Sequence, residues 1–256
     1  MLRRVSLLGL WLEPLVSILW VFFILWSFVV AAVWCGGVGE PQLDAWIKHL
    51  PLRHTLVALC RMADAIWIAL AAACAYLAVA DTHGVVTARR WAFTAFAGVA
   101  AVLVVSAWTG WPLGSIYYTR QLGPRLGSMP AGLPLFWLAV ILGGRALWMR
   151  LFPRAGHRQI VFGAALFSLL TALNLEPLAS RLRGWWFWNS PETHTPIATP
   201  WQSYAGWWVT AALIAYLMRE PRVVGARPGP SDRLIAILVT LNGVFLLTHV
   251  MRMVRG

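Results

Sequence analysis

The chain has 256 residues, of which 60% are hydrophobic and only 12% are charged. A soluble domain carries about 25% charged residues, so this composition excludes an ordinary soluble fold and indicates a helical membrane protein. The net charge of +12 does not indicate a nucleic-acid partner. Apart from Arg61 and Arg145, the basic residues lie outside the predicted span interiors, in twos and threes, where they meet lipid headgroups.

Seven segments are long and apolar enough to cross a membrane, since a helical span needs about 20 mostly apolar residues. They cover residues 10–33, 56–80, 91–111, 132–150, 159–178, 201–218 and 233–251. The first apolar run is too long for a signal peptide, so we expect it to remain as an anchor. The sequence therefore predicts an all-α polytopic bundle that forms a single integral membrane domain over residues 1–256.

The distribution of Lys and Arg predicts the orientation. The N-terminus and the loops after spans two, four and six carry eleven of these residues, and the opposite side carries eight. We therefore expect a cytoplasmic N-terminus, in the inner membrane of a bacterium. In either orientation, the loops after spans three and five lie on the same side.

Cysteine and histidine spacing predicts no metal site. Cys35, Cys60 and Cys74 form no ligand pattern, and the six histidines form no H-x-x-H, H-x-x-x-H or E-x-x-H pair. The segment 112–131 is different in kind, because it is rich in Pro and Gly yet apolar and aromatic. We expect no regular helix there, and such backbone is tolerated at membrane depth only when it is buried or lines a cavity. It is predicted to form a re-entrant lid or pocket wall facing segment 179–200.

The most informative stretch runs from Glu176 to Trp208. Glu176-Pro177 ends one apolar run, and six of the 17 tryptophans fall within these 33 residues. An acid at membrane depth beside aromatic faces suits proton chemistry on an apolar substrate. The alternative is an interfacial aromatic belt with a helix-end acid that reaches water.

Two blocks of residues in the region from about Trp111 to Trp208 resemble the membrane carotenoid hydratase family. The first block contains Tyr117-Tyr118-Thr119, Leu122-Gly123-Pro124, Leu126-Gly127, Pro130 and Pro134-Leu135-x-Trp137; the second contains Glu176-Pro177, Trp186-x-Trp188 and Pro200-x-x-Ser203-Tyr204-x-Gly206-Trp207. This family includes carotenoid 1,2-hydratases that act on lycopene or γ-carotene ends, and bisanhydrobacterioruberin hydratases. Three departures stand out: Glu176 replaces the usual Asp before Pro, Ala172 replaces a second Asp one turn earlier, and Ser203-Tyr204 replaces Asn-Phe.

The resemblance implies addition of water to the terminal C1=C2 double bond of an acyclic (ψ) carotenoid end, without cofactor or metal. An isolated alkene is a poor base, so the proton donor has to be a carboxylic acid kept neutral in a dry site. Aromatic faces stabilise the tertiary carbocation, and a hydrogen-bonding group places the water that captures it.

Three acids lie at the predicted membrane depth. Glu176 is the predicted proton donor, because it matches the acid–Pro pair of the family. Asp64 is a further catalytic candidate, and we expect it to pair with Arg61, since residues three apart share a helix face. Glu13 lies near the start of the first span, where the interface solvates it.

The remaining site residues are predicted from the same two blocks and from the turn of helix before Glu176. Tyr117 and Tyr118 are expected to orient water or accept its proton, with Gln202 and Ser203 as alternatives. Asn174 lies two residues before Glu176 and so on a different helix face. The predicted substrate-binding residues are Trp186, Trp188, Trp207, Tyr204 and Asn174.

The expected partners are a lycopene- or γ-carotene-like carotenoid, membrane lipid and other carotenoid enzymes. A membrane lycopene cyclase remains an alternative, although its Pro-Glu-Glu type of acid cluster is represented only by Pro191-Glu192 in a loop. A non-catalytic carotenoid- or lipid-binding protein, including an assembly factor, is a second alternative. A transporter is a third, without support from paired half-helix repeats.

Overall fold

The computed structural model of the protein describes residues 7–36, 48–49, 51–119, 121–189, 196–219 and 229–255. Within these residues the chain forms eight α-helices, which are α1 (Leu7–Gly36), α2 (Arg53–Arg61), α3 (Ala63–His83), α4 (Val85–Thr109), α5 (Gly132–Leu151), α6 (His157–Pro177), α7 (Trp201–Leu217) and α8 (Asp232–Arg255). The short strands are β1 (Ile116–Tyr118), β2 (Arg125–Leu126), β3 (Met129–Pro130), β4 (Trp186–Asn189) and β5 (Pro196–Ile197).

Six helices are long and apolar enough to cross a membrane, and they confirm the predicted all-α polytopic bundle. These spans are Pro14–Cys35, Ala63–His83, Val85–Thr109, Gly132–Leu151, His157–Leu182 and Asp232–Arg255. The predicted seventh span is present as α7, but it has only 17 residues. At 1.5 Å per residue it is about 26 Å long, slightly shorter than the roughly 30 Å hydrocarbon layer. The orientation of the bundle stays a prediction.

The second predicted span, 56–80, is divided in the structure. Helix α2 ends at Arg61, Met62 separates it from α3, and the apolar helix begins at Ala63. Because α2 carries Arg53, His54 and Arg61 among nine residues, it is too polar to continue the span. Asp64 therefore lies in the first turn of the spanning helix rather than in the middle of a longer one.

The described residues of segment 112–131 form no helix, as predicted, and they contact the segment that follows α6. Strand β1 pairs antiparallel with β4, and β5 extends the sheet on the other side of β4. This pairing confirms that the loops after spans three and five lie on the same side. Strands are an addition to the all-α prediction, and they form here because aromatic and β-branched residues favour extended backbone.

Close helix contacts occur where glycine removes a side chain. A Cβ at Gly163 of α6 would lie 2.1 Å from the Trp148 ring of α5, and one at Gly143 of α5 would lie 2.7 Å from Leu238 of α8. A Cβ at Gly206 of α7 would lie 2.8 Å from the Pro112 carbonyl oxygen. Small residues let membrane helices approach closely, and at Gly206 the contact seats the loop that carries β1.

Candidate active site

The end of α6 turns the chain back onto Glu176. After Pro177 the helix widens into a π-helical turn, Leu178–Leu182, and the Arg183 amide donates to the Leu178 carbonyl at 2.8 Å. Gly184 then has φ of 56°, a left-handed conformation that glycine adopts at little cost. The tryptophans that follow therefore return to the end of the helix they have just left.

Glu176 is buried, with 1% of its surface exposed, and its carboxyl group is surrounded by neutral donors. The indole Nε1 groups of Trp186 and Trp188 donate to Oε2 at 3.0 and 3.2 Å. The Ser203 hydroxyl lies 3.4 Å from Oε1, and the Trp207 indole also forms a hydrogen bond with the carboxyl group. Among the residues that the structure describes, no cation forms an ion pair with Glu176.

The register of β1 and β4 decides which aromatic residues face this acid. Tyr118 pairs with Trp186 across the two strands, and Tyr117 pairs with Phe187. Because side chains alternate along a strand, Tyr118 and Trp186 are buried, whereas Tyr117 is 67% exposed. Of the two predicted tyrosines, only Tyr118 is brought to the Glu176 side.

The Tyr118 hydroxyl is buried and has no hydrogen-bond partner within the described part of the chain. Burial, and then the nearby Glu176 carboxyl, raise the pKa of Tyr118 above its ordinary value of 10. A neutral hydroxyl can both donate a hydrogen bond to water and accept one from it. This side chain is therefore able to hold a water molecule beside the acid.

Helix α7 supplies the remaining wall. Trp207 is buried and stacks on Trp137 with ring centroids 4.1 Å apart. Tyr204 is partly buried, is within electrostatic reach of Glu176, and forms a hydrogen bond with Thr199. Gln202 instead donates to the Gly110 carbonyl at 3.2 Å, so it joins α7 to the end of α4 and does not face the acid.

Asp64 forms a second buried carboxylate, which is saturated with donors. Its Oδ2 accepts from Nε and Nη2 of Arg183 at 2.9 and 2.7 Å, and from the Trp185 indole at 2.9 Å. Its Oδ1 accepts from the Trp34 indole at 2.9 Å. The predicted pairing with Arg61 falls on a side chain outside the described residues, and the described cation at Asp64 is Arg183.

Asn174 lies away from the Glu176 carboxyl group, and the side chain of Glu13 is not among those described. The Asn174 side-chain amide donates to the Asn242 side chain at 3.2 Å, and the backbone carbonyl oxygen of Asn174 contacts His249 Nε2 at 2.8 Å. It therefore joins α6 to α8, on the different helix face that its spacing predicts. The Glu13 side chain lies outside the described residues.

Three residues that surround Asp64 were not predicted as site residues from the sequence: Arg183, Trp34 and Trp185. Two sequence features could have indicated this cluster. One is the Arg183-Gly184 step inside the Trp-rich stretch, and the other is the acid Asp64 within the second apolar run. In the ranges where side chains are described, no three His, Cys, Asp or Glu residues gather as a metal site.

Comparison with known proteins adds to this geometry. The sequence profile described as carotenoid biosynthesis protein matches residues 62–256, which contain both buried acids. The chain belongs to that family. The resemblance seen in the two sequence blocks is therefore confirmed.

Among curated proteins, the chain is 33% identical over 117 residues to bisanhydrobacterioruberin hydratase of Haloarcula japonica. The matched part covers 44% of this chain and 39% of that relative, so the chain spans well under half of the relative's length. No solved structure matches the chain.

Proposed function

We propose that this member of the carotenoid biosynthesis family adds water to the terminal C1=C2 double bond of an acyclic carotenoid end group, with Glu176 as the acid. The family, the hydratase name of the relative and the buried acid support this proposal. The substrate class is a carotenoid with a lycopene- or γ-carotene-like end.

The observation that carries the proposal is the unequal environment of the two Glu176 oxygens. Oε2 accepts two indole N–H groups at 3.0 and 3.2 Å, whereas the Ser203 hydroxyl contacts Oε1 at the longer distance of 3.4 Å. An oxygen that already accepts two donors leaves little room for its own proton, so a proton on this acid resides on Oε1. Neutral donors and the lack of a described counter-cation suit an acid that is protonated before reaction.

The reaction then balances with water as the sole co-reactant. The Oε1–H bond breaks as the π electrons of the alkene form a C–H bond at C2, which leaves a tertiary cation at C1 and a carboxylate at Glu176. The faces of Trp186, Trp188 and Trp207 stabilise the cation. Water adds to C1 and loses a proton to the carboxylate, directly or through the Tyr118 hydroxyl, which gives a tertiary alcohol and regenerates the acid.

Asp64 is less suited to donate the proton, because Arg183 forms an ion pair with it at 2.7 Å. Four donors already occupy its two oxygens. We therefore assign the acid role to Glu176 and place Asp64 outside the chemical step.

The test is the pigment profile of a lycopene-accumulating bacterial host that expresses the full chain or its Glu176→Gln variant, measured by chromatography and mass spectrometry. We expect a product heavier by one water molecule with the wild type and none with Glu176→Gln. The control variant is Asp232→Asn. Asp232 lies in the first turn of α8, is exposed, and forms an ion pair with Arg150 at the end of α5.

Other outcomes would overturn the proposal. An isomer of unchanged mass and altered absorption would favour the cyclase alternative. Unchanged lycopene and unchanged γ-carotene, with the protein shown to be in the membrane, would favour a binding protein. Equal hydration by wild type and Glu176→Gln would remove Glu176 from the chemistry.

A further inference from the structure

The buried Asp64 carboxylate joins three parts of the chain at one point. Asp64 belongs to α3, Trp34 to α1, and Arg183 and Trp185 to the turn after α6. Asp64 is 1% exposed, and the side chain of Arg183 is 21% exposed. A charge so deeply buried is tolerated only when it is paired and hydrogen-bonded, so the position of Arg183 and Trp185 is tied to that of Asp64.

The same short segment continues directly to Glu176. Trp186 follows Trp185, and their ring centroids lie 5.9 Å apart. Successive Cα atoms are about 3.8 Å apart, so a displacement of the Trp185 backbone reaches Trp186 without an intervening residue. In the six-residue segment from Arg183 to Trp188, the first part donates to Asp64 through Arg183 and Trp185. The second part donates to Glu176 through Trp186 and Trp188.

We propose that Asp64 and Arg183 are positioning residues for Glu176. They hold the indole donors of Trp186 and Trp188 against Oε2, which keeps the reactive proton on Oε1. Neither residue hydrogen-bonds Glu176 itself within the described contacts, so they act through the tryptophans. The catalytic part of this inference rests on the proposed role of Glu176 as the acid.

A purely local structural role for the ion pair makes a different prediction. In that case, loss of the Asp64 charge would disturb the groups that touch it, Trp34 and Trp185, and leave Trp186 and Trp188 in place. The indole N–H signals of individual tryptophans therefore separate the two roles, because each N–H reports its own hydrogen bond.

The first experiment is nuclear magnetic resonance of the full chain in detergent, with ¹⁵N-labelled tryptophan and signals assigned through single Trp→Phe variants. In Asp64→Asn we expect shifts of the Trp186 and Trp188 indole signals in addition to those of Trp34 and Trp185. Asp232→Asn, which removes an exposed ion pair, should shift none of the four. Shifts in Asp64→Asn confined to Trp34 and Trp185 would overturn the inference.

If Asp64→Asn does not accumulate in folded form, Trp185→Phe provides the same test. This variant keeps the ion pair and the ring and removes one donor to Oδ2. Because the Trp185 ring lies 5.9 Å from that of Trp186, its replacement alone changes the Trp186 signal, and Trp188 is therefore the reporter. A shift of the Trp188 signal is expected, and an unchanged Trp188 signal would overturn the inference. These spectra need no carotenoid, so their result does not depend on whether the protein is a hydratase.

The second experiment measures carotenoid hydration in isolated membranes. We expect Asp64→Asn to lower kcat by about a hundredfold with KM nearly unchanged, because displacement of a catalytic group by about 1 Å has an effect of that size. Arg183→Lys should retain more activity than Asp64→Asn, because it keeps the ion pair with Asp64. It should still be less active than the wild type, because Lys cannot make the contact through two nitrogens. Unchanged kcat in Asp64→Asn would overturn the inference, whereas a wild type that hydrates no carotenoid would overturn the proposed function instead.

Discussion

The Trp186 indole donates to the Glu176 carboxyl at 3.0 Å, and the ten positions between the two residues contain a sharp reversal of the chain. The π-helical turn and Gly184 make this contact possible, and they bring Trp188 to the same oxygen. Oε2 of the acid thereby accepts two neutral donors, while the Ser203 hydroxyl lies 3.4 Å from Oε1.

Removal of these indole donors should slow hydration. Trp186→Phe and Trp188→Phe each retain an aromatic ring but delete one hydrogen bond to Oε2, and a hydrogen bond to a carboxylate contributes about 1.5–3 kcal/mol. We expect each variant to lower kcat by about tenfold or more, measured in membranes with lycopene. Trp201→Phe is the matched control, since Trp201 is 79% exposed. Equal rates in all three variants would contradict the role of the donors.

The two neighbouring tyrosines should differ in their effect on activity. Tyr118→Phe removes the buried hydroxyl beside Glu176, and loss of a group that positions or relays a proton costs about a hundredfold or more. Tyr117→Phe removes a hydroxyl from the outer face of β1, and its rate should stay near that of the wild type. The measurement is initial hydration rate at equal protein content. A larger loss with Tyr117→Phe would reverse the assignment.

The burial of Tyr118 should make the stability of the folded protein depend on pH in the alkaline range. The pKa of Tyr118 in the folded protein lies above its ordinary value of 10, so the unfolded chain loses this proton first as pH rises. The stability from neutral Tyr118 is therefore complete below pH 10 and decreases as pH rises above it, towards the folded-state pKa. Thermal unfolding of wild type and Tyr118→Phe in detergent should show a steeper decrease of Tm above pH 10 in the wild type. Parallel curves would argue against a buried neutral tyrosine.

Gly206→Ala should disturb the site through packing. The added Cβ would lie 2.8 Å from the Pro112 carbonyl oxygen and from a Leu113 methyl carbon, so the loop before β1 has to move. Overpacking of this kind typically costs about 1–3 kcal/mol. We expect lower Tm and lower hydration together. The control is Gly243→Ala, because a Cβ there meets no atom within 4 Å and alanine favours the helix. Similar losses in both variants would indicate a general effect of helix substitution.

Long apolar runs made the spans predictable, because hydrophobic length alone places a helix in a membrane. The division at Met62 was not predicted, since the run from 56 to 80 continues through a short polar helix. The choice between Tyr117 and Tyr118 was equally undetermined. Alternation along a strand places them on opposite faces, but only pairing with β4 decides which face is buried.

The sequence by itself determined the membrane class, the approximate spans and the family resemblance, and it singled out Glu176 as a candidate acid, because composition, hydrophobic length and motif order are local properties. Tertiary structure alone decided that Asp64 pairs with Arg183, which lies 119 positions away. Spacing along one helix predicts a pairing with Arg61, whose side chain lies outside the described residues. The contact with Arg183 depends on how α1, α3 and the turn after α6 pack together. A buried charge takes the partner that packing brings within hydrogen-bond distance, and sequence separation places no limit on that choice.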